Sequence, residues 1–169
     1  MRTNSDTKSV VQRFYAMLGA TIRDSRFGDF VKKSYSALNK LVFVASRGRL
    51  WNRISDGQII LVTSVGCKSG TMRTNPLTTI PLPDGSYVLI GSNAGGITDP
   101  AWVSNLLADS RTWVTVTDYK TAFHARHVTD KAEWDRLFQK FVDVHSDYAT
   151  YATATTRHMP IFVLEPAGR

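Results

Sequence analysis

From Gln58 onward the hydrophobic residues follow the period of β-strands, and this change of period constrains the fold more than any other feature of the chain. The pattern predicts strands at six places, which are 58–65, 74–82, 86–92, 112–118, 121–128 and 160–165. The connections between them are short: Pro83-Asp84-Gly85 is a strong hairpin signal, and Asp118-Tyr119-Lys120 is a weaker one. Six strands with short connections predict a small antiparallel β-barrel in an α+β, mainly β chain.

Two helices are predicted between these strands. Asp99 and Pro100 have the residue types of a helix N-cap and of a first helical position, so they predict a short helix that begins there. Asp130 is the predicted N-cap of the second helix, and Glu133 stands at the spacing of a capping box. The apolar stripe of this second helix consists of Trp134, Leu137, Phe138 and Phe141.

The first 55 residues differ from the rest in both charge and period. They contain 11 Lys/Arg against 3 Asp/Glu, a balance of +8, whereas residues 56–169 contain 10 against 11, a balance of −1. Apolar residues at helical spacing predict two amphipathic helices in this segment. We therefore expect one domain overall, in which residues 1–55 form a basic helical N-terminal extension and residues 56–169 form the barrel.

The basic helices leave two interpretations open. Their apolar faces cover the sheet, as is commonest for amphipathic helices, or they bind an anionic membrane surface. Nucleic acid is not an expected partner, because the sequence has no zinc-finger spacing, basic zipper or aromatic-rich nucleic-acid signature. It also has no signal-peptide pattern and no apolar run long enough to span a bilayer. We expect a cytoplasmic protein, with peripheral binding at the inner face of the membrane as a role for the helices.

The composition of the turn from Gly66 to Gly70 suits an anion. Its two glycines permit a concave set of backbone N–H groups, and Lys68 and Arg73 supply positive charge for a phosphate or a carboxylate. An ordinary surface hairpin with solvated charges explains the same residues equally well. The single cysteine, Cys67, excludes an internal disulfide framework and a Cys-rich metal site.

A second polar loop, from Gly91 to Gly96, follows the third predicted strand. Neighbouring strand ends of a small barrel lie side by side, so we expect this loop close to the Gly66–Arg73 turn. Gly95 would let a flat ring lie close to the main chain, as would Gly96, and the amide of Asn93 could bond the polar edge of such a ring.

The histidines predict neither a metal site nor a catalytic triad. His124 and His127 are three residues apart in a strand, so their side chains point to opposite faces. None of the four histidines has the local context of a nucleophile elbow. Glycine-rich fingerprints of the common nucleotide-binding folds are also absent from the sequence.

Four motifs follow one another between residues 58 and 166: TSVGCKSGTMRTNPL, GSNAGG, DPAWVSNL, and HSDYATY with RHMPI. Their order and spacing resemble the deazaflavin-dependent nitroreductase family, whose members are split-barrel reductases that use coenzyme F-420. The resemblance implies a split β-barrel oxidoreductase that transfers a hydride from reduced F-420 to a quinone, a nitro compound or another conjugated acceptor. Two alternatives remain: a non-catalytic barrel that binds F-420 or an apolar ligand, and a split barrel that binds FMN.

The resemblance also implies contacts with the cofactor. The residues that would hold its phosphate and acidic tail are Cys67, Lys68, Ser69 and Arg73. Those that would line the deazaflavin ring are Thr74, Asn75, Pro76, Leu77 and Thr78. The border of the ring and of its ribityl chain would consist of Gly91, Ser92 and Asn93. The pocket would be completed by Ala101, Trp102, Val103, Ser104 and Asn105.

The resemblance places Tyr148 and Tyr151 beside the substrate. Tyr148 is the first candidate for a proton donor, and His145 is the second because a histidine pKa lies near neutrality. Two tyrosines three apart on a short helix would otherwise simply pack on the barrel. Ala94 and His145 depart from the usual pattern of the family, where a basic residue and a phenol are common.

Overall fold

The computed structural model describes residues 53–54, 57–116 and 119–168. The helices predicted before residue 55 and the turn at Asp118 therefore lie outside the described residues. The strands are β1 (Arg53–Ile54), β2 (Gly57–Val65), β3 (Met72–Pro81), β4 (Tyr87–Ile90), β5 (Arg111–Val116), β6 (Tyr119–His127) and β7 (Ile161–Pro166). The helices are α1 (Ala101–Ala108), α2 (Lys131–Val144) and α3 (Asp147–Thr153), and a 3-10 turn spans Asn93–Gly95. Among the residues described, no helix is long and apolar enough to cross a membrane.

Strands β2 to β7 form a closed antiparallel barrel. Their order is β2-β3-β4-β7-β6-β5, and β5 returns to pair with β2 between Leu61 and Ser64. The short β1 adds to β2 by pairing Arg53 with Gln58. The predicted six-stranded barrel is confirmed. The third predicted strand is shorter than expected, because the chain leaves the sheet after Ile90 to form the polar loop.

The interior of the barrel is filled by apolar side chains from the strands and from α1. Trp102, Val103 and Leu106 of α1 pack into this interior cluster, and the ring of Trp102 lies 5.8 Å from that of Phe162, roughly edge to face. The strand residues of the cluster are Ile60, Val62, Leu89, Val114, Phe123, Ala125, Phe162 and Leu164. Burial of these large side chains fixes α1 against the barrel.

A second apolar cluster lies on the opposite face of the sheet, where α2 and α3 cover it. Leu137 and Phe141 of α2 are fully buried there, and the indole N–H of Trp134 donates to the carbonyl oxygen of Met159 at 2.8 Å. The partners from the strands and from the segment before β7 are Ile80, Val88, Ile90, Val128, Met159, Ile161 and Val163. This packing brings α3 beside β3 and the loop after β4.

Helix α1 begins differently from the prediction. Pro100 is its N-cap residue and makes no side-chain hydrogen bond there. The carboxylate of Asp99 instead forms an ion pair with Arg157, far along the chain. The expectation that Asp99 caps α1 was therefore wrong, because a distant guanidinium competes for the carboxylate.

Helix α2 begins at the predicted cap. The Oδ1 atom of Asp130 accepts a hydrogen bond from the N–H of Glu133 at 2.8 Å, as an N-cap acid should. Glu133 does not complete a capping box, because its two carboxylate oxygens accept hydrogen bonds from Arg126 at 2.9 and 3.0 Å. Arg126 also donates to Glu165 at 2.8 Å, so one guanidinium joins β6, α2 and β7.

The predicted hairpin at Pro83-Asp84-Gly85 is confirmed. The N–H of Leu82 donates to the carbonyl oxygen of Ser86 at 2.8 Å, and Gly85 has a φ of +85°. The N–H of Ser86 donates to Oδ1 of Asp84 at 3.0 Å, and hydrogen bonds from Ser86 lower the pKa of that carboxyl. Glycine is required here because other residues rarely adopt a positive φ.

Candidate active site

Three hydroxyl groups from distant parts of the chain meet beside α3. The phenol of Tyr148 interacts with the side chains of Ser92, in the loop after β4, and of Thr78, on β3. Burial raises the pKa of the Tyr148 phenol to about 12, and the interactions with the Ser92 and Thr78 side chains oppose that rise only in part. The phenol therefore stays protonated at neutral pH and is available as a hydrogen-bond donor.

Aromatic rings of α2 and α3 surround Tyr148. The centroid of its ring lies 4.6 Å from that of Phe141, 6.0 Å from that of His145 and 5.3 Å from that of Tyr151. His145, at the end of α2, is only 7% exposed, whereas Tyr148 and Tyr151 are partly exposed. Of the two predicted proton donors, Tyr148 is thus the more exposed to solvent.

The loop after β4 adopts a left-handed backbone. The angle φ is 46° at Asn93, 52° at Ala94 and 75° at Gly95. A non-glycine residue in this conformation costs on the order of 1–3 kcal/mol, so the surrounding contacts must hold it there. One such contact is the hydrogen bond from the side-chain amide of Asn93 to the carbonyl oxygen of Thr98, at 3.0 Å. Strained backbone of this kind concentrates at functional sites.

Two glycines of this loop, Gly95 and Gly96, pack against the protein itself. A Cβ atom on Gly95 would lie 3.1 Å from Cβ of Ala154 and 3.4 Å from the backbone of Tyr151. A Cβ atom on Gly96 would lie 2.8 Å from Nδ2 of Asn93. The structure thus gives both glycines a packing reason, and their predicted contact with a flat ring stays a prediction.

Arg157 binds the same loop at four points. Its Nη2 donates to the carbonyl oxygens of Gly91 and Ser92, at 3.0 Å each, and its Nε donates to that of Gly96 at 3.3 Å. Its Nη1 pairs with the carboxylate of Asp99, and the side chain is 15% exposed. We predicted no role for Arg157, although it stands in one of the four motifs.

The Gly66–Thr71 turn makes most of its hydrogen bonds internally. The N–H of Gly66 donates to the carbonyl oxygen of Thr71 at 2.9 Å, and the N–H groups of Ser69 and Gly70 donate to that of Gly66 at 3.1 and 2.8 Å. The N–H of Thr71 donates to Oγ of Ser69 at 3.3 Å. Three N–H groups of the predicted concave set, those of Gly66, Ser69 and Gly70, are therefore engaged within the turn, so an anion there would depend more on side chains.

Two cations project from this turn. Lys68 and Arg73 are exposed, and within the described part of the chain no carboxylate forms an ion pair with either of them. Cys67 and Ser69 are exposed beside them. The charge that the sequence predicts for anion binding is thus available at the surface.

Asn105 ties the turn to α1. Its Oδ1 accepts a hydrogen bond from the N–H of Cys67 at 3.0 Å, and its Nδ2 donates to Oγ of Ser64 at 3.3 Å. The residue is 6% exposed. Its side chain therefore positions the turn, and its predicted direct contact with the cofactor stays a prediction.

The alternation along β3 divides the predicted ring-lining residues between two faces. The pairing of β2 with β3 is regular, so successive side chains point to opposite sides of the sheet. Leu77 packs against the interior cluster, whereas Thr78 reaches Tyr148 outside the barrel. Thr78 shares its face with Thr74 and Pro76, and Leu77 shares its face with Arg73 and Asn75. A flat ring outside the barrel can contact only the first set.

Helix α1 divides its predicted site residues in the same way. Trp102 and Val103 are 7% and 1% exposed and belong to the interior cluster. Ala101 and Ser104 are exposed. Among the predicted residues of α1, only these two are exposed.

A shallow cavity of about 220 Å³ opens elsewhere, between β4, β5 and β6. Its walls consist of Tyr87, Val114, Val116, Tyr119, Thr121 and Phe123. None of the predicted site residues lines it.

Solved structures of other proteins resemble this fold. An F420-H2-dependent reductase, FDR-A, is 30% identical over 63% of this chain and 93% of its own, with a TM-score of 0.58. A structure described as a domain-swapped dimer is 27% identical over 82% of this chain and 98% of its own, with a TM-score of 0.60. The protein Atu2129 from Agrobacterium tumefaciens, at 14% identity and a TM-score of 0.54, shares the fold alone.

Residues 38–166 match the family described as F420H(2)-dependent quinone reductase. This match begins inside the segment that we assigned to the N-terminal extension. It confirms the resemblance seen in the four motifs, and it lends no support to FMN as the cofactor. Since the match spans most of the chain, the protein belongs to the F420H2-dependent quinone reductase family, a family of split-barrel oxidoreductases.

Proposed function

We propose that this protein transfers a hydride from reduced F-420 to a quinone, with a nitro compound or another conjugated acceptor as a further substrate class. The observation that carries the proposal is the meeting of the hydroxyls of Thr78, Ser92 and Tyr148 at α3, together with two exposed cations near the other end of β3. The family match supports the cofactor, and the hydroxyl cluster supports an acceptor that carries an oxygen.

The described residues fit a long anionic cofactor. Thr78 lies five positions after Arg73 along β3, which is roughly 16 Å at the rise of a β-strand. A ligand that contacts both the cations and the hydroxyl cluster must therefore be elongated, with an anionic group at one end. A deazaflavin ring with a phosphorylated side chain has this form. We infer that Lys68 and Arg73 hold the phosphate and the acidic tail, and that the ring lies over Thr74, Pro76 and Thr78.

When bound, reduced F-420 would supply a hydride, which carries two electrons and one proton, to the acceptor. The protein then has to bind and orient the acceptor and to stabilise the negative charge that develops on its oxygen. A quinone that gains a hydride needs one further proton to become a hydroquinone. The chain therefore needs a hydrogen-bond donor at that oxygen and a route for one proton.

Tyr148 is the proposed donor. Because burial raises its pKa to about 12, the phenol is protonated throughout the neutral range. An ordinary phenol has a pKa of about 10, so complete proton transfer from Tyr148 to a hydroquinone anion is unfavourable. We infer that Tyr148 stabilises the oxyanion by a hydrogen bond while the proton itself arrives from solvent. His145 lies behind the Tyr148 ring and supports its position; a direct role for His145 as donor is the second option.

The first experiment is a fluorescence titration of the protein with oxidised F-420, with FMN as a parallel ligand. We expect saturable quenching with F-420 alone, followed by oxidation of the reduced complex when menadione is added. Binding without oxidation by any acceptor would instead indicate a non-catalytic carrier. Binding of FMN, or of neither ligand, would contradict the proposal.

The second experiment tests the hydroxyl cluster. Tyr148→Phe removes one donor and should lower kcat by about a hundredfold, the typical effect of losing one oxyanion contact. Tyr119→Phe is the matched control, because Tyr119 is 81% exposed and lies outside the cluster. Equal activity of the two variants would show that Tyr148 only packs on the barrel.

We also propose that residues 1–55 bind an anionic membrane surface, where an apolar quinone would be found. The +8 balance of the segment supports this, because each Lys or Arg near such a surface contributes about 1 kcal/mol. The full-length protein should sediment with vesicles that contain anionic lipid, less so at high salt, and not with neutral vesicles. Equal sedimentation with both kinds of vesicle, or with neither, would exclude electrostatic membrane binding.

A further inference from the structure

We propose that Arg157 is a positioning residue, which holds the loop from Gly91 to Asp99 so that the hydroxyl of Ser92 meets the phenol of Tyr148. Arg157 itself binds backbone carbonyls and a carboxylate, and it acts on the reaction only through the loop. The effect on catalysis rests on the proposed function, whereas the effect on the loop does not.

The contacts of Arg157 require a guanidinium group. Its Nη2 bridges two consecutive carbonyl oxygens, of Gly91 and Ser92, at 3.0 Å each. Its Nε and Nη1 reach Gly96 and Asp99 at the far end of the loop. The planar group thus joins both ends of the loop in one arrangement. A lysine would keep the charge, but its single ammonium could not make these four contacts at once.

The loop needs such a support because its backbone is strained. Asn93 and Ala94 both have a positive φ, which disfavours this conformation in an isolated loop. Gly95 lies against Tyr151 of α3 and Ala154, the C-cap residue of that helix, so the loop and α3 are in contact. Without the guanidinium, the loop is expected to relax away from α3.

The same segment of chain supplies both the guanidinium of Arg157 and the phenol of Tyr148. Tyr148 lies in α3 and Arg157 follows it, and the N–H of Arg157 donates to Oγ1 of Thr155 at 3.2 Å. Ser92 is held from one side through its carbonyl oxygen by Arg157 and faces Tyr148 with its hydroxyl. Loss of the Arg157 contacts should therefore move the hydroxyl of Ser92 away from that of Tyr148. Lys68 and Arg73 should remain in place.

The direct test is amide hydrogen exchange of residues 91–99, which requires no cofactor. Arg157→Lys should raise the exchange rate of this loop by about tenfold, since local opening becomes easier. Arg126→Lys is the matched control, because Arg126 is likewise held by several hydrogen bonds, to Glu133 and Glu165, and makes no hydrogen bond to the loop among the described residues. Unchanged exchange in Arg157→Lys would overturn the proposal. If that variant does not fold, Asp99→Asn can be used, because it removes the ion pair with Arg157 and should also raise the exchange rate of the loop.

The catalytic part is tested by a double-mutant cycle with menadione as the acceptor. Arg157→Lys should lower kcat by about tenfold and change the dissociation constant of F-420 by less than about threefold, because the cation turn is untouched. If Arg157 acts through Ser92, then Arg157→Lys has little further effect on kcat in a Ser92→Ala background. Additive effects, or an unchanged kcat, would overturn the positioning role. If the unaltered protein neither binds nor oxidises F-420, the proposed function fails, and the exchange experiment still decides whether Arg157 holds the loop.

Discussion

The side chain of Asn105 accepts a hydrogen bond at 3.0 Å from the backbone N–H of Cys67, 38 residues earlier in the chain. The same amide donates to Ser64 on β2 at 3.3 Å. Because Asn105 is only 6% exposed, its side chain takes the place of water as the hydrogen-bond partner of Cys67 and Ser64. Helix α1, which packs into the barrel, thereby fixes the turn that carries Lys68 and Arg73.

Asn105→Ala should lower the free energy of unfolding by about 1–3 kcal/mol, because it leaves polar groups of Ser64 and Cys67 without their partner. Urea unfolding measures this. Ser104→Ala, at the exposed neighbouring position, should change the same quantity by less than about 0.5 kcal/mol. Equal effects of the two substitutions would show that the amide of Asn105 contributes nothing specific.

Lys68→Ala combined with Arg73→Ala should raise the dissociation constant of F-420 by about tenfold or more. Each charge-assisted hydrogen bond contributes about 1.5–3 kcal/mol, and about 1.4 kcal/mol corresponds to a factor of ten. The measurement is fluorescence quenching at two salt concentrations. The salt dependence should be weaker in the double variant, because fewer charges contact the ligand.

The control for this experiment removes the same total charge elsewhere. Arg136 and Lys140 are exposed on α2 and form no ion pair with any described residue. Replacement of both residues by alanine should change the dissociation constant of F-420 by less than about twofold, since they lie on α2 and not at the turn. A comparable loss in both double variants would mean that net charge, and not the turn, attracts the cofactor.

Tyr148 should make stability depend on pH in the alkaline range. Burial raises its pKa in the folded protein from 10.0 to about 12, so the folded state retains a proton that the unfolded state loses. The stabilisation is fully present below pH 10 and decreases as the pH rises from 10 towards 12. Between these values the free energy of unfolding should fall by up to about 2 kcal/mol more in the unaltered protein than in Tyr148→Phe. Urea unfolding at a series of pH values measures the difference, and parallel curves would contradict it.

Gly95→Ala should destabilise the protein more than Gly85→Ala. Both glycines have a positive φ, 75° and 85°, so alanine at either position costs about 1–2 kcal/mol in backbone strain. A Cβ atom at Gly95 also meets Ala154 at 3.1 Å, whereas one at Gly85 has its nearest neighbour, Pro166, at 3.9 Å. Thermal unfolding of the two variants isolates the contact of the loop with α3. Equal melting temperatures would show that the loop accommodates the added Cβ atom at Gly95 without further loss of stability.

Local signals were predicted well because their physical cause is local. The alternation of apolar residues predicted the six strands, and the hairpin at Pro83-Asp84-Gly85 and the cap at Asp130 are where their residue types indicate. Asp99 was wrongly predicted as a cap, because its partner, Arg157, is 58 residues away. Glu133 was wrongly paired with its own helix for the same reason: Arg126 of β6 takes both of its oxygens.

The sequence by itself determined the barrel, the cation turn and the family, since these follow from periodicity and from the order of motifs. Only the tertiary structure decided which motif residues are accessible. It buries Trp102 and Val103 in the interior cluster, engages Asn105 with the turn, and divides β3 between two faces. It also brings Ser92, Thr78 and Tyr148 together and bonds Arg157 to the loop that carries Ser92, because long-range contacts form between groups that the chain order keeps apart.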